Sequence, residues 1–170
     1  MLTASATKKT LFSALLVTLG LVLGYVENMF LPIIPLYGLK IGFSNLVVIC
    51  AVYQSGFKNA LVIGVLKAFL SGVLFSGLMS IAYGVTGILF SVFAMNLIKI
   101  KSSFSEVGVS VLGSGMFQIG QVLVACAVLN SAAPLYYLSY LLIGSVPCGI
   151  VSGLLVHILR KRFKIFKGVK

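Results

Sequence analysis

The sequence predicts an all-α integral membrane domain with six transmembrane helices, and three observations carry that reading. First, 60% of the residues are hydrophobic and only 9% are charged; soluble domains carry roughly 45–50% and 25%. Second, the apolar residues gather in continuous runs. Such runs lack the alternation of a transmembrane β-barrel and leave closed helical hydrogen bonding as the route across lipid. Third, the length fits. A hydrocarbon core of about 30 Å takes roughly 20 helical residues, so six crossings use about 120. That leaves tails and short loops from a chain of 170 residues. The whole of 1–170 reads as one domain with a basic tail from about residue 160.

The segments follow in order. The first spans 10–29 and continues past Leu23 without a small-residue cleavage site, unlike a signal peptide. The second, 39–53, is short, because Pro32 and Pro35 prevent a continuous helix before it. The third covers 59–75, the fourth 78–98, the fifth 107–129 and the sixth 135–159. Small residues mark packing faces: Thr10, Ala14 and Thr18 on the first; Ser80, Gly84, Gly87 and Ser91 on the fourth; Ser145, Gly149 and Gly153 on the sixth.

Charge sets the topology. Thirteen Lys and Arg stand against two acids, Glu27 and Glu106, with no Asp. Eleven of the cations fall on one side of six crossings: Lys8, Lys9, Lys58, Lys99, Lys101 and the tail from Arg160 to Lys170. The positive-inside rule therefore puts both termini in the cytoplasm. Tyr25, Tyr37, Tyr83, Tyr136, Tyr137 and Tyr140 fall near the opposite interface, as an aromatic belt would. This topology accounts for the net charge of +11 without a nucleic-acid partner. The bilayer is the partner it requires, and the basic tail can also meet anionic headgroups.

The same imbalance excludes whole classes of chemistry. Magnesium-dependent diphosphate chemistry gathers carboxylates around the ion, whereas Glu27 and Glu106 are 79 positions apart. One His and no Asp rule out a multi-histidine zinc site and a Ser-His-Asp triad. Cys50, Cys126 and Cys148 are widely spaced and read as small buried hydrophobes. No catalytic residue, metal site or cofactor is expected. Binding is.

Candidate binding residues are those that are expensive in lipid. Lys67 lies near the middle of the third segment, where a Lys costs about 2.5–3.5 kcal/mol unless it faces protein or water. Either it faces a cavity and meets an anionic ligand, or it pairs structurally with Glu27. On the fifth segment Ser110, Ser114, Gln118 and Gln121 share one helical face that can line a polar cavity or join helices. Glu27 and Asn28 close the first segment, and Lys40 and Asn45 flank a Gly-rich start to the second. A short segment interrupted by Gly and Pro is a pointer to a binding site in transporters.

The run Glu27-Asn28, Leu31-Pro32, then Gly38-Leu39-Lys40-Ile41-Gly42-Phe43-Ser44-Asn45 resembles the "GxKLGLAN" stretch of a bacterial membrane family. That family is known as heptaprenyl diphosphate synthase component I, or Gx transporter. Ile119-Gly120-Gln121 is similar to its second landmark. Phe117-Gln118 stands where the family pattern has His-Asn, and Lys67 where it has Arg. The resemblance implies a six-helix bundle like the substrate-binding S components of energy-coupling-factor transporters, in a bacterial plasma membrane. It implies a small-molecule ligand beneath the loop after the first helix. It also implies a coupling subunit docked on the small face of that helix, here Ala14 and Thr18, with ATPases beyond it. The older family name implies instead a noncatalytic association with a soluble prenyl diphosphate synthase subunit.

Overall fold

Long apolar runs close their backbone hydrogen bonds locally when they cross lipid. The computed structural model describes residues 4–30, 45–101 and 104–162, and its regular structure is helical throughout. In order come α1 (Ala4–Phe30), α2 (Asn45–Ser71), a π-helical turn (Gly72–Ser76), α3 (Leu78–Lys101), α4 (Glu106–Leu129) and α5 (Ala133–Arg162). Among the described residues five helical stretches are long and apolar enough to cross a membrane, the second being Asn45–Ser76. Their outward faces carry large apolar side chains, including Leu15, Phe69, Leu78, Phe93 and Ile143, as a lipid-facing surface would.

Segments two and three, expected as separate helices joined by a loop over residues 54–58, are two helical arms within Asn45–Ser71, and what differs is the connection, which narrows to Gly56 with φ 80° and ψ 177°. That backbone region is essentially confined to glycine, so a single residue makes the turn. Two contacts show how sharp it is. A Cβ placed on Gly64 would lie 3.6 Å from Val48 Cγ2, and one on Gly20 would touch both Lys67 and Val47. In a straight helix residues 48 and 64 would be about 24 Å apart. The arms 45–55 and 57–71 therefore fold back on each other as an antiparallel hairpin. Gly77 repeats the device with φ 78° and ψ 169°, and reverses the chain into α3.

The remaining neighbours alternate in direction. Gly20 of α1 meets Lys67, Gly24 meets Ser71, and the Tyr25 and Phe75 rings lie 5.2 Å apart, so α1 runs parallel to the second arm of α2. Contacts of Gly84 with Ala68, Gly113 with Met95 and Gly149 with Val111 set α3, α4 and α5 antiparallel to their predecessors. The positions of Lys8, Lys9, Lys58, Lys99, Lys101, Arg160, Lys161 and Arg162 consequently gather at one end of the bundle. Tyr136, Tyr137 and Tyr140 open α5 at the other end and are exposed there.

The inner arm of α2 is the centre of the core. Leu46 to Val52 are all buried, against Ile88, Val92 and Met95 of α3 among others. Its C-terminal carbonyls lose their helical donors at the Gly56 turn. Lys99 of α3 supplies one, donating to the Val52 carbonyl at 2.8 Å, with its ammonium 5.0 Å from the centre of the Tyr53 ring. A cation at a helix C-terminus also favours the dipole. The α3–α4 and α4–α5 seams are closer. A Cβ on Gly120 would lie 2.9 Å from Gly87 Cα, and on Gly149 or Gly153 only 2.6 Å from a Cα of α4. These small stripes serve internal packing. At the basic end Ser105 caps α4 through Gly108 N–H, and Glu106 pairs with His157 of α5 at 2.8 Å.

Candidate functional site

Side chains that cannot be solvated by hydrocarbon must turn inward, and the polar ones of the bundle's middle do. Relative exposure is 4% for Lys67, 1% for Asn45, 3% for Glu27, 2% for Ser114, 1% for Gln118 and 0% for Gln121. Burial of this extent makes each an obligatory partner of something polar.

The Lys67 site is built by a missing side chain on α1. Its aliphatic stem crosses α1 at Gly20, where a Cβ would lie 2.6 Å from Cδ and 3.0 Å from Cγ, with Val47 Cγ2 at 3.4 Å. Three elements thus converge on one lysine: α1, the inner arm of α2, and the outer arm that carries it. One turn further along, buried Ser71 faces Gly24, its hydroxyl 3.6 Å from where a Cβ would sit. Glu27 continues that face of α1, and its burial places its side chain in the interior.

On α4, Ser110, Ser114, Gln118 and Gln121 are all buried on one face. Ser114 Oγ and both amide atoms of Asn45 have no hydrogen-bond partner among the described residues. Gln118 Oε1 and Gln121 Nε2 are in the same state, although each of those residues makes another polar contact. A buried polar atom left without a partner costs roughly 1–3 kcal/mol, so this interior holds hydrogen-bonding capacity that packing does not consume. Among the described residues no three His, Cys, Asp or Glu side chains could hold a metal ion. Cys50 and Cys148 are free and buried, as the sequence suggests, and Cys126 is half-buried. A cation, amides and hydroxyls in an apolar shell can bind and orient a polar group.

Not every expected residue joins this interior. Lys40 and the side chain of Asn28 lie outside the described residues. Ala14 and Thr18 are exposed on α1 and line a groove of about 390 Å³ between α1 and the outer arm of α2. Two residues escaped the sequence reading. Ser71 lies one helical turn after Lys67, and that spacing, set against Gly20 and Gly24, was the available signal. Gln54, whose buried amide atoms have no partner among the described residues, sits beside the Gly56 turn.

No curated protein and no solved structure matches the chain. Residues 16–159 match the family described as heptaprenyl diphosphate synthase component I. The match spans from α1 to the last turns of α5, and so takes in the Lys67 site and the α4 face together. The protein is thus a multi-helix membrane-type bundle that belongs to the heptaprenyl diphosphate synthase component I family.

Proposed function

We propose that the chain is a noncatalytic, substrate-binding membrane subunit that captures a small anionic or amphipathic molecule inside its bundle. In this reading the protein forms a single domain and crosses a bacterial plasma membrane six times. The second segment expected from the sequence, 39–53, would make the second crossing, and both ends of the chain would be cytoplasmic. The gathering of cations at one end supports that orientation. The observation that carries the binding role is Lys67, buried where α1 lacks a side chain to make room for its stem. Lys67 and Lys40 would engage the anionic part. Glu27, Asn28, Asn45, Ser114, Gln118 and Gln121 would orient the rest. Captured substrate would pass inward with the help of a coupling membrane subunit and its ATPases, docked at Ala14 and Thr18, as in energy-coupling-factor uptake systems.

The test is direct. Small molecules that co-purify with the protein are identified by mass spectrometry and then titrated against the wild type and Lys67→Met. The loss of one charge-assisted contact should weaken binding by about tenfold or more. Equal affinity of the two proteins for a verified ligand would remove Lys67 from the site.

The family match favours a second reading, in which the same bundle anchors or supplies a soluble prenyl diphosphate synthase subunit. The two acids of this chain cannot build a magnesium cluster, so catalysis would belong to the partner. Affinity capture of the tagged protein separates the two: an Asp-rich synthase on one reading, a coupling subunit with ATPases on the other.

A further inference from the structure

The inner arm of α2 is buried from Asn45 to Val52, and that stretch carries one carboxamide, that of Asn45. Asn45 is 1% exposed, and neither its Oδ1 nor its Nδ2 has a hydrogen-bond partner among the described residues. With both atoms stranded, either orientation of the amide presents the same pair, one acceptor beside one donor. The fold has no use for that pair. A leucine has the same heavy-atom branching, and exchanging a stranded buried amide for it is neutral or stabilising. The hairpin also sets the amide beside the buried cation. Val48 lies against Gly64, and three residues further along each antiparallel arm the register brings Asn45 opposite Lys67. Lys67 is equally enclosed, and its ammonium is a donor only.

These two neighbours select a ligand by the groups it must offer. Phosphate, diphosphate and carboxylate anions carry acceptors alone; they suit Lys67 and leave the Asn45 carbonyl without a donor. A hydrocarbon chain leaves both amide atoms stranded. An N–H beside a C=O on one edge satisfies both through two parallel hydrogen bonds, as side-chain carboxamides do on the edge of adenine. We infer that the interior ligand is a small acid with a cis-amide edge. It is a lactam or imide ring whose N–H and C=O meet Asn45 and whose anionic group meets Lys67. Packed helices lie about 8–10 Å apart, so a molecule of one or two rings spans both groups. The inference rests on the substrate-capture reading above and names the ligand class of that site.

The experiment uses the full-length protein in phosphatidylcholine nanodiscs and measures equilibrium binding of two pairs of acids by titration calorimetry. Each pair keeps the ring size and the carboxylate and removes the amide edge: orotate against benzoate, and 2-pyrrolidone-5-carboxylate against cyclopentanecarboxylate. At least one edge-bearing acid should bind about tenfold or more tightly than its counterpart, the gain from two buried hydrogen bonds. Asn45→Leu should bring that ratio close to one, whereas Lys67→Met should weaken both members and preserve it. Without ligand, Asn45→Leu should melt at or above the wild-type temperature. A clearly lower melting temperature would make Asn45 a packing partner and overturn the inference. Equal affinities within both pairs, as a bridging water would give, or no saturable binding of either edge-bearing acid, would overturn it too. The capture reading fails separately. Acids that bind through Lys67 with no preference for the edge leave that reading standing, and a co-purified ligand indifferent to Lys67→Met counts against it.

Discussion

Two regions of the bundle use glycine in opposite ways. In the α4–α5 seam, Gly149 and Gly153 remove side chains so that two backbones meet, with 2.6 Å between the missing Cβ and a Cα of α4. Between α1 and the α2 hairpin, Gly20 removes a side chain so that another one can enter, the stem of Lys67. The seam spends its space on contact between helices, and the hairpin spends it on a buried cation. A glycine stripe in a membrane helix therefore has no single meaning; its function depends on what fills the gap.

The largest expected effect lies in the seam. Gly149→Leu drives a branched side chain into the Val111 backbone, which cannot rotate away as a side chain can. Overpacking against fixed atoms should cost about 3 kcal/mol or more, read as a collapse of the unfolding midpoint in mild detergent. A midpoint within a degree of wild type would show that the seam yields, and the contrast with the hairpin would fail.

The hairpin has its own weak point. Gly56→Ala places a Cβ on a backbone at φ 80° and ψ 177°, although nothing lies within 4 Å of the new atom. The penalty is conformational rather than steric packing, about 1–3 kcal/mol. Gly56→D-Ala, introduced by semisynthesis, should be tolerated because the mirror-image residue accepts positive φ. Equal losses from both would point to contact in place of conformation.

These two glycines also mark how far the fold can be read from residues alone. Gly149 and Gly153 were recognisable as packing positions, because small residues one turn apart in an apolar run have few other uses. The even spacing of apolar runs and the one-sided cations likewise foretold a helical bundle with its positive charge at one end. Gly56 was not legible as a hinge. A lone Gly between Gln54-Ser55 and Phe57-Lys58 looks like part of an ordinary polar loop, and the choice between a loop and a one-residue reversal depends on how closely Val48 packs on Gly64. Within the candidate site Lys67, Gln118 and Gln121 stood out by their cost in lipid. Ser71 and Gly20 did not, since a Ser and a Gly are cheap anywhere in a membrane helix and acquire a role only through the partner across the interface.

A smaller effect tests the free end of the hairpin's inner arm. Lys99→Met keeps the apolar stem but loses the 2.8 Å hydrogen bond to the Val52 carbonyl and the ammonium over Tyr53. The loss should be about 1 kcal/mol, with hydrogen exchange quickening in 49–55 before the rest of the bundle. Uniform quickening would mean that Lys99 supports the whole α2–α3 contact and not this arm.

The smallest change in stability is expected where the two regions differ most. Gly20→Ala introduces one methyl 2.6 Å from Lys67 Cδ, a clash closer in kind to packing than to strain, since the obstructing atom sits on a flexible chain. Replacing Gly by Ala within a helix also returns about 1 kcal/mol of helix propensity. The two contributions should nearly cancel, leaving the unfolding midpoint within about 1 kcal/mol of wild type. The lysine, however, must move its stem to accommodate the methyl, and its ammonium moves with it. Affinity for the interior ligand should therefore fall several-fold while stability holds. Gly149→Ala should show the reverse pattern, losing stability with no separate effect on affinity in the folded fraction. If Gly20→Ala lost stability as Gly149→Ala does, and bound ligand normally, then Lys67 would be part of the packing and the distinction between a glycine that closes space and one that opens it would not hold in this protein.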